Sequence, residues 1–395
     1  MRGDQITIVV LNWKRPEETI ACLESLARAD LDGARVLVVD NGSGDGSPAR
    51  IRARFPAQRI VELPVNRGYA GGNNAGIRIA LDEGARGVLL LNNDTTVAPD
   101  FLLGLRWAMG AAPRVAAASS AILRHDNPEM LDVAYSEVRF EERSVVCLRG
   151  VNTPPGYGFD RRREVEVAVG CSVLLFADAL REVGLLDEAY FAYHEDVDWC
   201  LRARAKGWTI WWEPLSRVYH GGSVTTRALA GPAPAAPPAV GYDRLLHESP
   251  PPWNPVRVYL GSRNVLRLLR TYATHEQRRA FYRMCVRELP LEFFAVVMGR
   301  EGWMTLGRWS WRSLVRFWCL ERHRRLAAWD RRPSTRPLAI AGAVLLAPVD
   351  LLWGLPRAIW RAWRRGRLRQ FVEECRGLWD GFRDRPLPLA RLGLA

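Results

Sequence analysis

The sequence predicts an α/β fold: a Rossmann-like, mostly parallel sheet, followed by a helical, basic, amphipathic extension. Three observations carry this. Short β-branched runs alternate with helical patterns through the first hundred residues, as in a parallel sheet with helical crossovers. Polar and glycine-rich turns follow those runs, at the strand ends where such sheets bind ligands. The charge also divides the 395-residue chain: of a net +13, the part from Pro255 onward holds 28 arginines and no lysine against 11 acids. The front is slightly acidic, so the two parts are expected to do different work. With 48% hydrophobic residues the chain can bury a sizeable core.

Ile6 to Leu11 is apolar and β-branched, a buried strand, and Pro16 then opens a helix with Ile20, Leu23 and Ala27 on one face. Arg35 to Asp40 is a second strand, stopped by the turn NGSGDGS. Ile60 to Leu63 and Val88 to Leu91 are further strands, with a helix over Ala70 to Leu81 between them. From Val115 to Phe176 the pattern shortens into β-like runs; Ala177 to Gly184 reads as a helix. Thr209 to Trp212 and Arg217 to Tyr219 read as closing strands before His220. The Pro/Ala-rich stretch Arg227 to Pro255 cannot be regular structure and is expected to be a loop or lid. The expected division is therefore 1–226 catalytic, 227–255 lid, and 256–395 helical. Seven scattered cysteines without a C-x-x-C pair fit free thiols in a reducing compartment. The N-terminus lacks the pattern of a signal peptide.

Candidate chemistry gathers at the strand ends. Asp40 could form an Asx turn or bind a nucleoside; the nearby glycines have the wrong spacing for a dinucleotide fingerprint. Asn66 to Gly76 places Gly71 and Gly72 where a ligand could approach the backbone closely. Asp94 ends a buried strand and could cap the next helix or ligate Mg²⁺ or Mn²⁺ with diphosphate oxygens. His220, a softer donor, would favour Mn²⁺. Glu195, Asp196 and Asp198 follow Tyr190, Phe191 and Tyr193 and open a helix. They could complement the helix dipole, or one could be a general base whose pKa the aromatic surroundings raise.

The ordered set VVDNGS, NRGYAGGNNAGI, LLLNNDT, GCSVLLF, HEDVDW and YHGGS resembles the inverting glycosyltransferases of family 2, closest to their rhamnosyltransferase-like members. The resemblance covers roughly Ile6 to Ser223, extends loosely to Asn264, and implies a GT-A fold. It implies a nucleoside diphosphate sugar donor met by Asn12, Asp40, Asn66, Arg67, Gly71, Asn73, Asn92, Asp94 and Arg263. Asp94 and His220 correspond to metal contacts, with Asn92 standing where the D-x-D motif has its first acid. Asp196 corresponds to the catalytic base, with Glu195 and Asp198 in support. The Q-x-x-R-W signature of processive members is missing after Trp199, which points to one sugar per encounter.

Leu338 to Val349 is apolar for only 12 residues, short of the ~20 a spanning helix needs. The Arg/Trp-rich sequence after it suits the interface of an anionic membrane. The expectation is a peripheral enzyme on the cytoplasmic membrane face, acting on a cell-envelope glycan or a polyprenyl-diphosphate-linked acceptor. Two other readings stand beside it: a nucleotidyltransferase, and a nucleic-acid-binding protein acting through the basic tail. No nucleic-acid fold signature is present, so no nucleic acid is expected as partner.

Overall fold

The computed structural model describes residues 2–108, 110–142, 144–221, 255–298 and 367–394. Its first half is β1 (Ile6–Asn12), α1 (Pro16–Ala27), β2 (Arg35–Asp40), α2 (Ser47–Arg54), β3 (Arg59–Glu62), α3 (Gly68–Asp82) and β4 (Gly87–Asn92). There follow β5 (Thr95–Val97), α4 (Phe101–Ala108), β6 (Val115–Arg124), β7 (Leu131–Val133), β8 (Tyr135–Val138), β9 (Val146–Arg149), β10 (Arg163–Val165) and β11 (Ser172–Phe176). α5 (Ala177–Val183), α6 (Glu195–Ala205) and β12 (Thr209–His220) close that part; α7 (Pro255–Tyr272), α8 (His275–Met298) and α9 (Arg367–Phe382) come later.

The main sheet has the order β10-β12-β6-β11-β4-β1-β2-β3, with β5 on β12 and β7 on β6. β3, β2, β1 and β4 run parallel, β11 lies antiparallel between β4 and β6, and β12 is parallel to β6. The six long strands other than β11 thus point one way, so their carboxyl ends share one edge. β1 and β4 are apolar and buried on both faces, as helices on either side require. Ile6, Ile8, Leu23, Leu26, Leu89 and Phe101 belong to the core so formed. The two closing strands expected near His220 are one strand with a register irregularity between Glu213 and Arg217.

Met1–Arg278 with Arg376–Ala395 forms one compact unit and Arg279–Cys375 the other. This differs from the expected boundary at 256. α7 joins the sheet-bearing unit because it buries Val256, Tyr259 and Leu260 with Phe191, Leu392 and Leu394. The Tyr259 hydroxyl also donates to Asp380 at 2.8 Å. The expected lid and most of the Arg/Trp tail lie outside the described residues.

Candidate active site

A buried polar network caps β1 and β2. Asn12 Nδ2 donates to Asp40 Oδ1 at 2.6 Å, and the Ser43 hydroxyl donates to the same oxygen at 2.6 Å. The Ser43 N–H donates to Asp40 Oδ2 at 3.0 Å, so the Asx turn exists. Thr19 Oγ1 donates to Asn12 Oδ1, and Asn93 Nδ2 to Thr19. Buried polar groups endure only with partners; here they fix Asp40 while leaving acceptor capacity on Oδ2.

The glycine loop is held to the same edge. Asn41 Nδ2 donates to Asn66 Oδ1 and the Gly68 carbonyl, while its Oδ1 accepts from the Arg67 N–H. Gly68 has φ +70°, and a Cβ there would collide with the Phe191 carbonyl and ring; only glycine fits both demands. A Cβ at Gly71 would lie 2.7 Å from the Arg67 Cβ. Asn73 is buried and donates back to the Tyr69 carbonyl. Arg67 turns aside to Glu188 at 2.7 Å. Asn66 Nδ2 donates to the Leu394 carbonyl at 3.0 Å, so the chain's last residues reach this loop.

Asp94 does not cap a helix: β5 follows directly, and α4 starts only at Phe101. β5 pairs with the end of β12, His220 opposite Thr95, which brings Asp94 to the imidazole. His220 Nε2 is 3.5 Å from Asp94 Oδ1, and Nδ1 is 2.8 Å from Asp132 Oδ2. Burial alone would lower this imidazole, but Asp132 and then Asp94 outweigh it and push it up to about 10. Asp132 is the residue the sequence reading missed. It sits on β7 with no motif around it, and only pairing of β7 with β6 beside β12 brings it here. A carboxylate on Nδ1 leaves Nε2 beside Asp94, the donor set of a metal-binding histidine with its outer partner. Among the described residues no cluster of three or more such ligands occurs. Asp94 and, once Nε2 gives up its proton, His220 would supply two ligands to a divalent cation such as Mg²⁺ or Mn²⁺, its other ligands coming from outside the protein. The backbone of Asn92 is tied to Cys171 and Thr95.

The acid cluster stands one strand away. β11 runs antiparallel to β4, Ser172 opposite Leu91, so Gly170 and Cys171 lie beside the end of β4. The Gly170 N–H donates to Asp196 Oδ2 at 2.9 Å, and the Val197 N–H to Oδ1 at 2.8 Å. The Tyr69 hydroxyl donates to the Gly170 carbonyl at 2.5 Å, bracing that peptide. Tyr69 is itself pushed up by burial and then by the nearby Glu195 and Asp196. Burial raises Asp196 above the usual aspartate value, against the pull of these N–H donors. Glu195 is raised further by burial and the adjacent Asp196, and its Oε2 is buried without a hydrogen-bond partner.

Asp198 behaves differently. It accepts from Arg202 Nε at 2.8 Å and from the Tyr272 hydroxyl at 2.6 Å, a clamp between α6 and α7. Arg263 donates to the Ala189 and Arg385 carbonyls and to Asn264. Among the described residues, the hydrogen bonds of Asp198 and Arg263 go to other partners than Asp94 and His220.

Fold and site together describe an α/β protein with two acidic corners on one sheet edge, one suited to a divalent cation and one to proton abstraction. Residues 7–170 match the model of Glycosyl transferase family 2, and the chain carries a domain of that family. It is 27% identical over 208 residues to the low-salt glycan biosynthesis hexosyltransferase Agl10 of Haloferax volcanii. That match covers 52% of this chain and 64% of the relative. It is also 27% identical over 234 residues to the N-acetylglucosaminyl-diphospho-decaprenol L-rhamnosyltransferase of Mycobacterium tuberculosis, covering 55% of this chain and 76% of that one. The crystal structure of GalNAc-T7 with UDP, GalNAc and Mn²⁺ superposes with a TM-score of 0.52 at 12% identity, over 78% of this chain and 55% of that one. The fold is GT-A.

Proposed function

We propose that the protein is a non-processive inverting glycosyltransferase that moves one sugar from a nucleoside diphosphate sugar to an acceptor hydroxyl. One observation carries the reading: Asp196, pre-oriented by two N–H donors, is bonded to Gly170 just before β11, and Asp94 of the Asp94–His220 pair follows the end of β4, the strand that β11 pairs with. Asp196 removes the proton of the acceptor hydroxyl, whose oxygen bonds to the anomeric carbon as the diphosphate oxygen departs. Attack opposite the leaving group inverts that carbon. Burial lifts Asp196 towards working pH, which improves a general base. The Gly170 and Val197 amides hold it in place, and Tyr69 braces Gly170. Asn12, Asp40, Asn66 and the first turn of α3, Gly68–Gly72, form the nucleotide side. An Mg²⁺ or Mn²⁺ ion at Asp94 and His220 would supply charge neutralisation for the diphosphate.

The mycobacterial relative's name supports a rhamnosyl donor and a polyprenyl-diphosphate-linked acceptor. Such an acceptor places the enzyme peripherally on the cytoplasmic face of an anionic membrane. No helix among the described residues is long and apolar enough to cross one. Trp379 and Phe382 at the end of α9 are half exposed, with Arg383 over the Trp379 ring, a pairing suited to a membrane interface. The test is a panel of nucleotide sugars, dTDP-rhamnose among them, with Mn²⁺ or Mg²⁺, read by thermal stabilisation and donor hydrolysis. One donor should stabilise the protein and be hydrolysed; a panel that neither binds nor turns over overturns the reading.

A further inference from the structure

The segment before the acid pair, Tyr190 to His194, contains no glycine, yet Phe191, Tyr193 and His194 have φ of 63°, 70° and 74°. Bulky residues avoid this left-handed region, and a backbone that keeps them there must be held from outside. The holder is on α7. Asn264, fully buried, directs Nδ2 at three carbonyls of this one segment: Tyr190 at 2.9 Å, Ala192 at 2.9 Å and Tyr193 at 2.7 Å. Its Oδ1 accepts from Arg263 Nη1 at 3.0 Å, which fixes the amide's orientation. An aspartate there would lack the donors, and a glutamine would be one methylene too long.

The opposite side of the segment rests on the N-terminus of α3. The Ala70 N–H donates to the Phe191 carbonyl at 3.1 Å, and Gly68 leaves the space that Phe191 fills. The segment then runs straight into α6, where the His194 carbonyl accepts from the Asp198 N–H at 2.9 Å. Its conformation therefore sets where Glu195 and Asp196 leave the backbone. We propose that Asn264 is a positioning residue that clasps the Tyr190–His194 segment in its strained form and so aims the Glu195–Asp196 pair.

This rests on the transferase reading for its kinetic consequence but not for its structural one, and the experiment separates them. Asn264→Ala removes the donors, and Asn264→Asp places a carboxylate against the same carbonyls. In the full chain each should lower kcat by about 10- to 100-fold with donor KM little changed, the Asp variant more than the Ala. Chymotrypsin, with cleavage sites located by mass spectrometry, should cut after Phe191 or Tyr193 in the variants and spare both in the wild type. Unchanged kcat and unchanged protection in folded Asn264→Ala overturn the proposal. Should neither variant fold, the wild type still decides: rapid native-state cleavage at Phe191 or Tyr193 overturns the clasp, and resistance supports it. A wild type that turns over no nucleotide sugar sinks the transferase reading alone, while the cleavage comparison still tests the clasp.

Discussion

The two acidic corners of the sheet edge use carboxylates in opposite ways. At the end of β4 and β12, Asp94 and Asp132 flank one imidazole, and their combined field holds His220 up near 10 despite its burial. At the start of α6, among the described residues, Asp196 accepts from backbone N–H groups, Glu195 leaves an oxygen without a hydrogen-bond partner, and burial raises both acids. The first corner is built to offset charge on a neighbour. The second keeps its acids poorly stabilised as anions, which makes them better proton acceptors. Removing one group from each corner should therefore fail in different ways.

The largest effect is expected at the proton-accepting corner. Asp196→Asn keeps the shape and loses the basic oxygen, so transfer should fall by about 10²- to 10⁴-fold while nucleotide-sugar binding persists. Turnover like that of the wild type would remove Asp196 from the role of base. At the cation corner, Asp132→Asn keeps a hydrogen-bond partner for Nδ1 but removes the charge. Binding of Mn²⁺ in the presence of nucleoside diphosphate, followed by calorimetry, should weaken by about 10- to 100-fold. Unchanged affinity would leave Asp132 as a structural partner of His220 only.

A third, smaller effect lies in the pH profile. A base with a raised pKa is already protonated at a pH where an ordinary aspartate is ionised, so acidification abolishes its activity sooner. The acid limb of kcat/KM should lie above the ordinary aspartate value and vanish with the residual rate of Asp196→Asn. A limb at the ordinary value would mean that burial does not tune this carboxylate in solution.

What could be read from the sequence follows the range of the interaction. β1, β2, β4 and α3 declare themselves through local apolar runs and glycine turns; Asp40 ends β2, Asp94 follows β4, and Asp196 lies in the first turn of α6. Asp132 was not legible because its role depends on which strand β7 pairs with, and the residues around it carry no signal. Asp198 belongs to the same four-residue motif as Asp196, yet Arg202 and Tyr272 turn it into a clamp; its tyrosine lies 74 residues away. Asn264 carries no local signal, because nothing around it shows an amide reaching three carbonyls about 70 residues upstream. The arginine-rich composition of the extension sets it apart from the front of the chain. Its first helix instead belongs to the unit that holds the acid segment.

Arg263 offers the finest distinction between the corners, because the role the resemblance implies and its observed partners disagree. As a donor contact it would bring positive charge to the diphosphate and belong with Asp94 and His220. In the structure it is buried, its Nη groups are spent on the Ala189 and Arg385 carbonyls and Asn264, and its Nε has no hydrogen-bond partner. Burial lowers its pKa from the usual arginine value, the mark of a cation stationed inside the protein rather than on a phosphate. Lysine would keep the charge but not the planar fork that reaches two carbonyls at once. Arg263→Lys should thus cost about 1.5–3 kcal/mol of stability, the worth of hydrogen bonds from a charged donor. Nucleotide-sugar affinity, measured well below the lowered melting temperature, should stay at the wild-type value. The opposite pattern, weaker donor binding with an unchanged melting temperature, would move Arg263 from the scaffold of the acid segment to the cation corner.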